Sequence, residues 1–72
     1  MKVIVNESVY EMGRKECRGI LKVASRQIPF GIYAVEKYGI CELRKDKFDN
    51  KEELKKAVAK YAEKGFKVHY NS

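Results

Sequence analysis

The spacing of hydrophobic positions changes along the chain, and each change marks an element. In MKVIVNESVYEM, Val and Ile alternate loosely with polar residues, and Asn6-Glu7-Ser8 breaks the run with turn-forming types. This predicts a hairpin with strands over residues 2–5 and 9–12. From residue 14 the period becomes helical. Cys17, Ile20, Leu21, Ala24 and Ile28 follow the i, i+3, i+4, i+7 rule of a buried stripe, predicting a helix over 14–27. Gly13 precedes it as a cap without a side-chain acceptor. Pro29 stops it and biases Ile28 toward extended backbone. Gly19 costs the helix up to about 1 kcal/mol against Ala, a cost that close packing against another backbone would offset.

GIYAVEKYGICELRKDKF is a second hairpin, with two β-rich runs around Lys37-Tyr38-Gly39. A two-residue turn would hold both Tyr38 and Gly39 at positive φ, which a tyrosine resists. A type I turn over Glu36–Gly39, with Gly39 in a bulge, asks this of the glycine alone and is the expected turn. It sets Val35 opposite Cys41 and Tyr33 opposite Leu43 on one face. Ile32, Ala34, Ile40, Glu42 and Arg44 then share the other, and a slip of one residue would move Tyr33 across.

FDNKEELKKAVAKYAEKGFKVHY closes the chain with a helix and a strand. Asp49 or Asn50 caps the helix, Glu52 and Glu53 occupy its first turn, and lysines fill its later turns, as the helix macrodipole favours. Leu54, Ala57, Val58, Tyr61 and Ala62 make its apolar stripe, and Gly65 ends it. Phe66, Val68 and Tyr70 then alternate with Lys67 and His69. The resulting order, ββ-α-ββ-α-β, predicts an α+β fold with two amphipathic helices on one face of a mainly antiparallel sheet, a two-layer arrangement. The expected core comprises Val3, Val5, Ile20, Leu21, Ala24, Tyr33, Val35, Leu43, Leu54, Val58, Tyr61, Phe66 and Val68.

Length and composition narrow the picture. Seventy-two residues make one domain, 1–72, which buries only about 60% of its unfolded surface and leaves little room for a deep pocket. An apolar content of 44%, with five Tyr and three Phe, argues against disorder. No stretch approaches a membrane span, and the apolar patch near the N-terminus is too short for a signal peptide. The expected location is therefore the cytoplasm, where Cys17 and Cys41 stay reduced. Two cysteines 24 residues apart and one distant histidine, His69, make no four-ligand metal site, and no cofactor is expected.

Charge carries the strongest functional signal. Sixteen Lys and Arg against ten acidic residues give a net charge of +6, which favours anionic partners. Arg14, Arg18, Lys22 and Arg26 fall four residues apart on the first helix, with Lys15 beside them and only Glu16 of opposite sign. The row winds gently over about 18 Å and its members repel one another unless an anion intervenes. A solvated face whose long stems cover apolar surface is the bland alternative. On the second helix, Lys56, Lys60 and Lys64 are diluted by Glu52, Glu53 and Glu63 and read as an ordinary wet face.

A rival contact surface is the open sheet face, where Lys67 and His69 project together. Arg44 joins them in the expected register, Tyr33 in the slipped one. Cations interleaved with aromatics on a sheet can hold nucleic acid, although no RNA-recognition sequence pattern is present.

Nothing supports catalysis. Cys17 lies on the buried stripe and His69 away from the core, so they do not form a nucleophile–base pair, and no Gly-rich phosphate cradle occurs. Residues 31–62, a hairpin followed by Phe-Asp-Asn-Lys-Glu-Glu-Leu, loosely resemble the arm-binding domains of phage-type integrases. That resemblance covers less than half the chain and implies contact with DNA through a sheet. The expectation is thus a non-catalytic, sequence-tolerant nucleic-acid-binding domain using Arg14, Lys15, Arg18, Lys22, Arg26, Arg44 and Lys67. The alternative is a protein-binding adaptor or inhibitor that docks an acidic or apolar partner, or a second copy, through the open sheet face or an edge strand.

Overall fold

A computed structural model describes residues 1–72. The elements are β1 (Lys2–Val5), β2 (Ser8–Glu11), α1 (Arg14–Gln27), β3 (Gly31–Lys37), β4 (Ile40–Lys47), α2 (Lys51–Glu63) and β5 (Lys67–Asn71). The fold is α+β in the order that the periodicity predicts. The strands form one mixed, mostly antiparallel sheet, β2-β1-β4-β3-β5, in which only β1 and β4 pair in parallel. No helix is long and apolar enough to cross a membrane.

The expectation of two helices on one sheet face is corrected. Ala34 and Val35, neighbours in β3, point to opposite faces: Ala34 packs with Cys17 of α1 whereas Val35 packs with Leu54 of α2. One helix therefore covers each face. Chain geometry requires this. α1 links β2 to β3 and α2 links β4 to β5, and both crossovers move across the sheet in the same direction. β2 and β4 run antiparallel to each other, so two right-handed crossovers must pass on opposite sides.

The hairpin turns differ from expectation too. Both Tyr38 (φ 54°) and Gly39 (φ 73°) are left-handed, and Lys37 pairs directly with Ile40. This is the two-residue turn, whose twist matches that of the strands, and Tyr38 tolerates it at 88% exposure. The first hairpin uses the same device, with Asn6 (φ 49°) and Glu7 (φ 70°) between Val5 and Ser8. Cys41 consequently faces Glu36, and Leu43 faces Ala34 across a register shift at Ile32/Ala34. With both faces covered, Ile32 and Ala34 are fully buried, and Ile40 stays exposed.

The two buried clusters differ in size of side chain. Beneath α1 lie Val3, Cys17, Ala34 and Cys41, flanked by Met1, Val5, Met12, Leu21, Tyr33 and Leu43. Beneath α2 lie Ile32, Val35 and Leu54, flanked by Phe30, Phe48, Ala57, Val58, Tyr61, Phe66 and Val68. Ile28, at the C-cap of α1, is also buried. At Gly31 (φ 151°) an added Cβ would lie 2.1 Å from the Asp46 carbonyl oxygen, so only glycine fits where β3 leaves the loop.

Helix ends follow the sequence signals, with one addition. Asn50 caps α2 by accepting from the Glu52 amide at 2.8 Å. At its other end Gly65 (φ 87°) and Phe66 donate to Ala62 and Tyr61 carbonyls, and the Phe66 ring packs edge-on against Tyr61. α1 has no side-chain N-cap. Its C-terminus is held from across the fold: the Asn71 amide donates to the Ser25 and Ile28 carbonyls, each at 3.0 Å, and to Ser25 Oγ at 2.8 Å.

Candidate nucleic-acid interface

The stripe of α1 that buries Cys17 and Ala24 turns one flank of the helix toward β3 and β5. The basic row runs along this flank, because Arg14, Arg18, Lys22 and Arg26 stay on one side at a four-residue step. Two depressions lie between this row and the strands. The first, about 420 Å³, is lined by Arg18, Leu21, Lys22, Ser25, Arg26 and Tyr33. The second, about 530 Å³, brings Arg14 and Arg18 together with Glu36, Lys67 and His69. They share Arg18 and Leu21 and so form one groove.

The floor of the groove is aromatic. Tyr33 and His69 ring centroids are 6.0 Å apart at a tilt of 45°. His69 Nε2 lies 3.4 Å from a Glu36 carboxylate oxygen, with both side chains largely shielded. The bulge between Ile32 and Ala34 brings Tyr33 to this side, beside the cluster under α1. Lys67 stands opposite Glu36 in the β3–β5 register. The two contact surfaces that the sequence offers as rivals, the basic row and the Lys67–His69 strand face, thus meet in one groove with Tyr33.

Six of the seven expected site residues, Arg14, Lys15, Arg18, Lys22, Arg26 and Lys67, are exposed, and none lies within ion-pair distance of an acidic group. Arg44 departs from expectation. The two-residue turn puts it on the α2 side, where it binds Asp46 at 2.7 Å and Glu42 at 3.3 Å and lies over the Tyr61 ring. The Asp46 hydrogen bond pushes its pKa further up. Its charge is neutralised within the fold and it does not belong to the groove. Conversely, Tyr33 belongs there, and the signal for it was the register left open by the turn.

Other depressions suit an anion less well. At the end of β1, one of about 460 Å³ sets Glu7, Glu42 and Asp46 against Arg44 and Lys45, so acidic groups outnumber cations there. Cys17 and Cys41 are free and buried, and the Cys41 thiol is pushed up to about 12, first by burial and then by Cys17 and Glu36 nearby. No family model, curated protein or solved structure matches the chain.

Proposed function

We propose that the protein is a non-catalytic domain that binds nucleic acid through sequence-tolerant phosphate contacts along α1. The observation that carries this reading is the convergence of unpaired cations. Arg14, Arg18, Lys22 and Arg26 line one flank of α1, Lys67 adds a fifth charge from β5, and none is satisfied by an acidic neighbour. An anionic polymer would relieve their mutual repulsion and release its own counterions.

The test is the salt dependence of binding. Each duplex phosphate contact contributes about −0.9 to the slope of log affinity against log salt. Replacing Arg18 and Lys22 by Gln should reduce the slope by roughly 2 and leave the urea midpoint unchanged, because both side chains are exposed. Absence of binding to DNA or RNA at low salt, or weaker binding at an unchanged slope, would reject the reading.

One observation favours a second reading, a protein-docking module. β2 is an edge strand exposed along its whole length, with Val9 60% and Tyr10 51% exposed. It carries none of the lysines or prolines that usually guard such an edge. Binding of a partner by strand addition there, or self-association through it, would survive high salt and would be lost on Val9→Lys rather than on changes in α1.

A further inference from the structure

We infer that the groove between α1 and β5 takes single-stranded nucleic acid, with an unpaired base stacked on Tyr33. This rests on the phosphate-binding reading above and adds to it the form of nucleic acid that the site selects.

The cations stand at the rim and the aromatics at the floor. Arg18, Lys22 and Arg26 border the same depression as Tyr33, while the Tyr33–His69 pair continues the floor toward Lys67. Steps of four helical residues space the rim cations about 6 Å apart along the axis, a repeat that an extended sugar-phosphate backbone can follow. The floor is unsuited to phosphate, because Glu36 sits there, shielded and spoken for only by His69. A polymer lying along α1 therefore directs its phosphates to the rim and its uncharged parts inward.

What lies inward depends on the polymer. The bases of a duplex are stacked on one another, and reaching Tyr33 would require flipping one out, at a cost of a few kcal/mol. A single strand presents its bases free, and every base has a face that stacks on a tyrosine. Phosphate contact at the rim is open to both forms, so the difference between them resides in Tyr33.

The experiment compares Tyr33→Phe and Tyr33→Leu with wild type, using oligo(dT) and a duplex of equal charge, with affinity read by anisotropy at several salt concentrations. Phe keeps the ring. Leu keeps apolar bulk against the α1 cluster but has no face to stack on, and its urea midpoint establishes that the variant is folded. The expected result is tighter binding of wild type and Tyr33→Phe to the single strand, and a roughly tenfold to hundredfold loss of single-strand affinity in Tyr33→Leu. Duplex affinity and both salt slopes should be unchanged. Equal losses on the two polymers, or no loss on either, would overturn the stacking inference while an intact salt slope kept the phosphate reading. Absence of binding to both polymers in wild type would overturn the two together.

Discussion

The two sides of the sheet are built from different materials. Under α2 the contacts are large and aromatic: Leu54 is buried among Ile32 and Val35, with Phe48, Tyr61 and Phe66 around them. Its helix is capped by side chain at the start and by glycine at the end. Under α1 the central cluster is of smaller residues, Val3, Cys17, Ala34 and Cys41, with Ile28 buried apart from it at the helix C-cap. That helix has no side-chain cap at its start and a glycine in its middle. Local sequence signals, large apolar groups and charge balance all agree on the α2 side. On the α1 side charge is unbalanced, and the aromatic Tyr33 is left at the edge of the core. The large aromatic contacts lie beneath one helix and the unpaired cations beside the other.

The two sides should differ most in the cost of core truncation. Leu54→Ala should cost about 2–5 kcal/mol, whereas Leu21→Ala, on a half-buried residue at the margin of the small cluster, should cost less than about 2. Urea midpoints check the difference, and equal costs would mean that the α1 side carries as much of the packing energy as the other.

Alkaline pH probes the α1 side through the Cys41 thiol. The Cys41 thiol is raised from 9.0 to about 12, so the folded chain holds a proton that the unfolded chain releases. The corresponding stability is complete below pH 9 and declines as pH rises from about 9 toward 12. Cys41→Ala should therefore be less stable than wild type at pH 7 but lose stability less steeply above pH 9. Parallel pH profiles would show that the thiol titrates alike in both states.

The smallest effect sharpens the contrast. Nothing lies within 4 Å of the position a Cβ would take at Gly19, so the glycine marks no close packing. Gly19→Ala should raise stability by up to about 1 kcal/mol, seen as a higher thermal midpoint. A loss instead would mean that α1 needs its flexibility to stay folded.

Element order was legible in the sequence because each element carries its own period and its own stop signal: Pro29 after α1, Asn50 before α2, Gly65 after it. Register was not. It turned on Tyr38, whose dislike of positive φ is worth less than a turn that twists with its strands. Residues 31–35 are apolar on both faces, so their pattern has no period to fix which face is which. The side of each helix follows from strand order and handedness, and strand order is absent from local pattern. The basic row was visible from its spacing alone. Tyr33 was legible only as the alternative of a slipped register, because a bulge sets the side it faces.

A sheet with one helix on each face also divides the molecule into thermodynamic compartments. The clusters under α1 and under α2 share no side chain, and Ala34 and Val35, neighbours in the chain, belong to different ones. Substitutions more than about 7–10 Å apart with no shared partners add in free energy. Changes along the exposed basic flank of α1 should therefore leave the packing beneath α2 undisturbed, so the charge of that flank can vary without loss of the larger aromatic contacts.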